Sequence, residues 1–398
     1  MEKICDSNKC TGCLACMNAC PKEAISISYD INGLMLPKID QEKCVNCGLC
    51  TRTCPVNITV EKKAPLKAYA AWNLDDKKHA LSSSGGLARA MYDYAIDNGG
   101  VCYGTRFDEN LDLRIVRADK REEIEEFQSS KYVQAIVGDS FKQAEDDLKM
   151  GLLVVYVGTP CQIAGLKNYL KKDYDNLITA DLICHGVPSI KYLHEHVEHL
   201  EKKIGKKADN VKFRGVYNFK MSLFNKGELI YCKDRWQDTY FTGFLESLFY
   251  RPNCYECSYA CPERVSDITL GDFWGIGKEK TFNSPKVNGV SVVLPLTEKG
   301  LDFIEKMKDK LYLEERSVSE AVNGNDQLNR PSRLHANTSR FIEMYHENGF
   351  EKAAFESIKE DMKKNQAKKR KSDRLHLQAK VKWKIVNTFR KITGRGVK

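Results

Sequence analysis

The chain has 398 residues, of which 42% are hydrophobic and 29% are charged. This composition is typical of a globular protein with more than one domain, and it excludes a lone small module and a disordered chain. The net charge of +9 is unevenly placed, because residues 363–398 carry fourteen Lys/Arg and one acid while the rest carries 49 basic and 53 acidic side chains. The basic excess belongs to a tail, so the body gives no sign of binding nucleic acid.

Sixteen cysteines are the second unusual feature, and nine of them lie in the first 54 residues. The chain opens MEKICDSNKC, without the apolar stretch of a secretory signal. Its longest clean apolar run, residues 152–157, is far shorter than the roughly 20 residues that cross a bilayer. We therefore predict a cytoplasmic protein, in which clustered cysteines hold metal more often than they form disulfides.

The N-terminal region, residues 1–63, contains a repeated cysteine motif of the form C-x2-C-x2-C-x3-C-P. The two copies are Cys10, Cys13, Cys16, Cys20 with Pro21, and Cys44, Cys47, Cys50, Cys54 with Pro55. Between them, residues 24–27 and 34–37 are predicted to form short strands around a turn at Asn32-Gly33.

This spacing is typical of a bacterial-type ferredoxin domain with two [4Fe–4S] clusters, in which the fourth cysteine of each run ligates the other cluster. The predicted ligands are Cys10, Cys13, Cys16 and Cys54 for cluster one, and Cys44, Cys47, Cys50 and Cys20 for cluster two. A pair of zinc sites is the alternative, but zinc motifs usually separate two cysteine pairs by a longer loop. Cys5 lies outside the repeat, and we interpret it as a buried or free thiol.

The central region, residues 66–290, alternates predicted strands with loops and helices. Strands are predicted at residues 67–72, 152–157, 177–183 and 267–272, and helices follow the first two from Leu87 and from Ile163. The pattern of strand, tight loop and helix favours an α/β or α+β core.

Two of the loops contain residues with possible chemistry. Residues 82–86, Ser-Ser-Ser-Gly-Gly, precede a helix, where free N–H groups could bind a phosphate or simply cap the helix. Residues 158–161, Gly-Thr-Pro-Cys, place a thiol between a strand and a helix, where a thiolate is favoured; a structural turn with a buried cysteine is the alternative.

A further cysteine group lies at Cys254, Cys257 and Cys261. Its order, C-x2-C-x3-C, is the reverse of the radical S-adenosylmethionine pattern, which argues against that class. A third iron–sulfur site and a zinc site both stay open on spacing alone.

Together, these segments resemble the coenzyme F420 hydrogenase/dehydrogenase beta-subunit family. The segments run in family order over about residues 67 to 315: Ser84-Gly85-Gly86, Ser130-Lys131-Tyr132-Val133, Gly158-Thr159-Pro160-Cys161-Gln162, Ile183-Cys184-His185-Gly186-Val187-Pro188, Cys254-x2-Cys257, and residues 267–275. An N-terminal two-cluster ferredoxin domain is a familiar arrangement in that family.

The resemblance implies an α+β protein in which the ferredoxin domain is fused to a mixed α/β flavin-binding core with a helical C-terminal region. It implies FAD, with a third [4Fe–4S] cluster beside it. The flavin residues carried over are Ser84, Gly85, Gly86, Lys131, Tyr132, Gly158, Thr159 and Gln162. The third-cluster ligands carried over are Cys161, Cys184, Cys254 and Cys257, while Cys261 matches no motif position and is either a free thiol or a substitute for one of the four.

The function that the resemblance implies is an oxidoreductase that joins hydride chemistry at a flavin to one-electron transfer through clusters. Its partners would be a redox protein or ferredoxin and an organic substrate. The motifs are similar to those of bacterial members associated with surface polysaccharides, whose substrate is unsettled. The resemblance therefore implies a two-electron hydride carrier that is either F420 or another partner. His185 is the candidate proton donor, with a structural role as its alternative. A non-catalytic electron-transfer adaptor is the other function class.

The C-terminal part divides into residues 291–362, predicted to be mainly helical, and the basic tail at 363–398. Four side chains at helical spacing, Leu301, Ile304, Met307 and Leu311, are predicted to belong to the core. In the tail, apolar residues between Leu375 and Ile392 share one side of a helical wheel. Such a helix could lie on the anionic inner membrane surface, dock an acidic partner, or stay solvated.

Overall fold

The computed structural model describes residues 2–214, 219–283 and 289–393; at residue 372 and from 375 onward it describes the backbone alone. The strands are β1 Ile25–Tyr29, β2 Met35–Ile39, β3 Ala68–Asn73, β4 Val101–Phe107, β5 Leu113–Ala118, β6 Val154–Gly158, β7 Leu177–Leu182, β8 Asn210–Lys212, β9 Lys220–Asn225, β10 Glu228–Asp234, β11 Ile268–Asp272, β12 Ser291–Pro295 and β13 Leu311–Arg316. The α-helices are α1 Ala15–Asn18, α2 Leu49–Thr53, α3 Asp76–Leu81, α4 Leu87–Asp97, α5 Arg121–Glu125, α6 Ser140–Lys149, α7 Pro160–Leu170, α8 Ile190–Ile204, α9 Thr239–Leu245, α10 Glu298–Glu305, α11 Val318–Gly324, α12 Thr338–Asn348 and α13 Phe350–Thr393.

The cysteine-rich region folds as the antiparallel hairpin β1–β2 with the short helices α1 and α2. The hairpin turn is held by Asp30, whose Oδ1 accepts hydrogen bonds from the N–H groups of Asn32 and Leu34. The residue that precedes each short helix follows the second cysteine of its motif and has a positive φ, at Leu14 (φ 54°) and Gly48 (φ 72°). The sequence repeat is therefore also a repeat of backbone conformation, and the two predicted strands are confirmed.

The core is built on a sheet with the strand order β13-β3-β12-β11-β7-β6-β4-β5. Its centre, β11-β7-β6-β4, is parallel, and the strands that flank it pair antiparallel. Along β6 the buried residues alternate between two apolar cores, with Val154 and Tyr156 in one and Val155 and Val157 in the other. The sheet is therefore covered on both faces, and its carboxyl edge is the natural place for a ligand site.

The prediction of a mainly helical stretch at residues 291–362 is wrong for two segments. β12 and β13 lie there, and both pair with β3 in the central sheet. Leu301 and Ile304 do lie on a helix, α10, but that helix ends at Glu305 and Leu311 begins β13. A short apolar run carries no mark that separates a buried strand from a helix, so long-range pairing decided its structure.

The first part of the basic tail is attached to the body through α13. Asn365 Nδ2 donates to Glu246 Oε1 (2.7 Å), and Gln366 Nε2 donates to the carbonyl of Trp236 (2.9 Å). The apolar face predicted between residues 375 and 392, and residues 394–398, lie outside the described side chains, so the amphipathic character stays a prediction. Within the described ranges, no helix has the length and apolar character needed to cross a membrane.

Candidate functional site

The four cysteines predicted for cluster one line a single cavity of about 320 Å³. They are Cys10, Cys13, Cys16 and Cys54, joined there by Cys5, Gly12 and Leu14. Three of the predicted ligands come from the first motif and the fourth comes from the second. The N–H of Gly12 points at Cys10 Sγ (3.4 Å), the kind of contact that tunes a thiolate ligand.

The four cysteines predicted for cluster two line a second cavity, of about 370 Å³. They are Cys20, Cys44, Cys47 and Cys50, again three from one motif and one from the other. The N–H of Ala24 contacts Cys20 Sγ (3.3 Å), and Cys47 is exposed to solvent. Both cavities therefore fit the crossed ligand pattern of a two-cluster ferredoxin.

The structure describes no group of three or more His, Cys, Asp or Glu side chains, in any of its three ranges, placed to hold a single metal ion. The eight N-terminal cysteines instead line two cavities, one for each predicted cluster. Ligation by each named cysteine stays a prediction.

Cys5 is a neighbour of cluster one that the spacing rule did not identify. Its thiol hydrogen-bonds to Cys10 and Cys54, which lowers the pKa of those two thiols to about 6 and about 7. A residue outside a motif gives no signal in the sequence, so its place beside the predicted ligands emerged only from the fold.

The four cysteines predicted for the third cluster converge at the carboxyl edge of the sheet. Cys161 follows β6, Cys184 follows β7, and the thiols of Cys254 and Cys257 are close enough to influence both electrostatically. Burial raises the pKa of Cys184 and of Cys254 to about 12, and neighbouring thiols of the set add to the rise. Cys161 is the second residue of α7, where the helix N-terminus favours a thiolate, but burial outweighs this effect and raises its pKa as well.

Cys261 has contacts of its own. Its Sγ donates to the carbonyl of Glu263 (3.1 Å) and accepts from Lys62 Nζ (3.5 Å). These local contacts agree with its place outside the family motif.

The first and third cysteine sets are neighbours across α7. A Cβ placed on Gly165 would lie 3.1 Å from Cys13 Sγ, so any larger residue here would require that thiol to shift by a few tenths of an ångström. The ring of Tyr259 is buried near both sets. Burial raises the pKa of its hydroxyl, and the nearby thiols of Cys161 and Cys13 raise it further. The first and third cysteine sets are therefore adjacent, with Tyr259 close to both.

The Ser-Ser-Ser-Gly-Gly loop joins α3 to α4 at the same carboxyl edge, after β3. Gly86 adopts φ 80° as the N-cap of α4, and no side chain caps that helix among the described residues. Ser84 Oγ is buried without a hydrogen-bond partner in the described part of the chain. Gly85 is packed against the sheet, with its N–H donating to Ser291 Oγ (2.8 Å). Among the described residues, the loop therefore leaves the start of α4 without a side-chain cap and presents unused donors.

Lys131 and Tyr132 follow α5 and lie near this loop. Lys131 Nζ donates to the carbonyls of Phe127, Gln128 and Ser129, and desolvation together with Lys212 lowers its pKa to about 7. Tyr132 packs its ring against Phe213, Phe241 and Phe244. Both are held in fixed positions, and their contact with a flavin stays a prediction.

The remaining predicted flavin residues form a helix cap. Thr159 and Gln162 make a reciprocal capping box at the start of α7, directly after Gly158. The Gln162 side chain is buried, and its Nε2 donates to the carbonyl of Ala135 (3.2 Å). These contacts position Cys161 at the helix N-terminus.

Arg214 and Asp272 are site residues that the motifs did not single out as a pair. Arg214 is buried, and its Nη1 donates to Asp272 Oδ2 (3.0 Å) and to the Tyr132 hydroxyl (3.2 Å). Its Nη2 donates to the carbonyl of Ser83, next to Ser84. Arg214 lies in no recognised motif, so only the structure connects the serine loop to the end of β11.

Comparisons with known proteins agree with this architecture. Residues 9–58 match the family profile of a 4Fe–4S dicluster domain. Residues 152–321 match the profile for the C terminus of the beta subunit of coenzyme F420 hydrogenase/dehydrogenase. Fold and cysteine sets together define an iron–sulfur redox protein.

The match at residues 152–321 confirms the resemblance to the coenzyme F420 hydrogenase/dehydrogenase beta-subunit family that the motifs predicted, and the match at residues 9–58 confirms a 4Fe–4S dicluster domain before it. Among solved structures, it is similar to a chain of the F420-reducing [NiFe] hydrogenase complex from Methanosarcina barkeri. The identity is 17% and the TM-score 0.44, over 68% of this chain and 96% of that chain. A search of curated proteins finds no match.

Proposed function

We propose that this protein is an iron–sulfur flavoprotein oxidoreductase that couples hydride transfer at a bound flavin to one-electron transfer through [4Fe–4S] clusters. The observation that carries the proposal is the position of the third cysteine set. It adjoins the first set across α7, and Cys184 is followed in the chain by His185, close to the Arg214–Asp272 pair beside the serine loop. The proximity of the candidate flavin site to the third cysteine set, and of that set to the first, supports an electron path between them.

The donors at the serine loop support a flavin with its phosphates. The N-terminus of α4 offers backbone N–H groups without a competing side-chain cap. Ser84 Oγ and Arg214 Nε are buried, and neither has a hydrogen-bond partner among the described residues. Buried polar atoms are normally paired, so these two suit a ligand that brings acceptors.

Bound together, a flavin and clusters supply the exchange between a two-electron and a one-electron carrier. The chain's own residues hold and insulate that system. The cysteines of the first and third sets supply thiolates in buried surroundings, and Tyr259 fills the space between them. His185 lies at the edge with part of its surface exposed, but desolvation of the imidazole lowers its pKa, so the neutral form is favoured at neutral pH.

The partners that this proposal requires are a redox subunit or ferredoxin and an organic hydride donor or acceptor. Cluster two is the one nearest solvent, because Cys47 and Val45 are exposed, so we place the protein partner there. F420 or another two-electron carrier would meet the flavin. The family is one of oxidoreductases, while a non-catalytic electron-transfer adaptor is the competing function for this chain.

Flavin content tests the proposal. The full chain, purified without oxygen and with its iron complete, is expected to show flavin absorbance, directly or after reconstitution with FAD. Ser84→Ala is expected to weaken FAD binding while leaving the iron content unchanged, since it removes one donor remote from the cysteines. Absence of flavin after reconstitution of iron-replete protein would favour the adaptor instead.

A further inference from the structure

Arg251 is one of the two largest fully buried side chains in the described structure, at 1% exposure. It lies just before Cys254 in the chain; its backbone carbonyl accepts a hydrogen bond from the Cys254 N–H (2.9 Å), and its Nε donates to Asn253 Oδ1 (3.4 Å). Its guanidinium also reaches across to the ferredoxin domain, where Nη2 donates to the carbonyl of Cys10 (2.9 Å) and Nη1 to that of Met35 (3.0 Å). This one residue thus contacts the segments that hold the first and the third cysteine sets.

The remaining contacts of this guanidinium are also neutral. Nη1 donates to Gln134 Oε1 (2.9 Å), and Gln134 Nε2 in turn donates to the carbonyl of Thr11 (3.1 Å). A Cβ on Gly12 would lie 2.3 Å from Gln134 Nε2, so the cysteine loop packs directly on this pair. None of the described hydrogen-bond partners of Arg251 is a carboxylate.

A second buried arginine, Arg264, differs from Arg251 in having a carboxylate partner. Arg264, also 1% exposed, lies near the third set and forms an ion pair with Asp181 (3.1 Å). Removing a charged group from water costs several kcal/mol unless an opposite charge compensates it. Arg264 has that compensation within the chain, whereas Arg251 has only carbonyl and amide oxygens around it.

We propose that Arg251 is the shared counter-ion of the first and third clusters, positioned to hold the potentials of both above that of an unpaired cluster. The proposal rests on the proposed function, because it requires clusters at both sets. Ligated thiolates make each cluster anionic, and a fixed positive charge in a dry interior stabilises the added electron of the reduced form.

The position of Arg251 also explains how the two domains keep one relative orientation. Its three neutral acceptors come from the first cysteine motif, from β2 and from the segment after Tyr132. Arg251 therefore joins the ferredoxin domain to the core at the point where an electron would cross between them.

The test is a redox titration of the full chain, monitored by electron paramagnetic resonance, for the wild type, Arg251→Met and Arg251→Lys. Arg251→Met is expected to shift the potentials of the first and third clusters to more negative values and to leave cluster two unchanged. Arg251→Lys keeps the charge and is expected to retain most of the wild-type potentials. The matched control is Arg52→Met, because Arg52 donates to the carbonyl of a predicted cluster-two ligand, Cys47, but is exposed to water. Since water screens its charge, we expect little shift in the potential of cluster two from this variant.

The outcomes separate the possibilities. Iron loss confined to the first and third clusters in Arg251→Met, with rescue by lysine, also supports the shared role. Unchanged potentials, an equal shift of all three clusters, or iron loss that lysine does not rescue would overturn it. A wild-type protein with only two clusters contradicts the proposed function before any variant is compared, so the two failures are distinct.

Discussion

Gly85 is the residue at which the candidate flavin loop comes closest to the sheet. A Cβ there would lie 2.1 Å from the carbonyl oxygen of Ala71 and 3.0 Å from the backbone nitrogen of Ser291. The loop is tied at the same point, since the N–H of Asn73 donates to the Gly85 carbonyl (2.7 Å). A glycine here is required by backbone packing, independently of any ligand.

Gly85→Ala is therefore expected to push the loop off β3 and β12. Overpacking of this kind costs about 1–3 kcal/mol, and the displaced loop should also bind FAD more weakly. Thermal unfolding and FAD titration measure the two effects. Ser84→Ala is the control for the unfolding measurement, because it adds no atoms to the loop and is expected to keep the wild-type stability. A Gly85→Ala protein as stable as the wild type would contradict the packing argument.

At the residue scale, the spacing of the two N-terminal motifs predicted the first and second cysteine sets, whereas the third set was predicted from the resemblance to a known family. Cys5, Arg214 and Arg251 could not be found in that way. Each has at least one partner more than forty residues distant, and no local pattern records such a contact. Glycines such as Gly85 appear in the motif, but the reason for a glycine there is a contact with Ala71 on another element.

At the scale of elements, a buried ionic network docks α13 on the core. His196 of α8 lies between two carboxylates, with Nε2 2.9 Å from Asp238 Oδ2 and Nδ1 2.8 Å from Glu351 Oε2. Burial opposes protonation of His196, but the charges and hydrogen bonds of the two carboxylates outweigh it and raise its pKa to about 10. Asp238 also caps α9 through the N–H of Phe241 (2.7 Å).

This network predicts a pH dependence of stability. Because the folded-state pKa of His196 is raised, its contribution is complete below the ordinary histidine pKa and is lost as pH rises through about 10. The carboxylates have lowered pKa values in the fold, so their contribution is present above their ordinary pKa and is lost as pH falls. The wild type should therefore lose thermal stability as pH rises from neutral to about 10. His196→Leu should not show this loss, because it lacks the titrating imidazole.

His196→Leu should also lower the free energy of unfolding by about 3–5 kcal/mol at neutral pH, because it leaves two carboxylates unpaired. The matched control is His194→Gln on the same helix, where the side chain is half-buried and 3.5 Å from Asp112. Equal losses from both variants would contradict a specific role for the network.

Elements were predictable where a strand, a tight loop and a helix follow one another. β3 and β6 were predicted on that basis, β7 and β11 were predicted as further strands without a following helix, and the structure contains all four. β12 and β13 were not, because each gains its stability from pairing with β3, more than two hundred residues earlier in the chain. Pairing over such distances leaves no local periodicity.

At the scale of the whole molecule, the chain is a ferredoxin domain packed against α6 and α7, two helices that cover one face of the α/β core. Gly165 of α7 lies against Cys13 of the first cysteine set, and Cys161 of the third set lies one turn earlier on the same helix. The positive net charge plays no part in this arrangement, since it belongs to the tail that follows the core. Three cysteine sets in one connected body are therefore the feature on which the proposed electron path depends.

The iron and acid-labile sulfide content of the anaerobically purified full chain distinguishes three cluster sites from two. The wild type and Cys261→Ser are expected to hold about twelve irons per chain, and Cys254→Ser about eight, since each [4Fe–4S] cluster carries four. Cys261 is the matched control, because it lies in the same segment and its thiol is engaged with Glu263. About eight irons in the wild type, with no loss in Cys254→Ser, would contradict a third cluster.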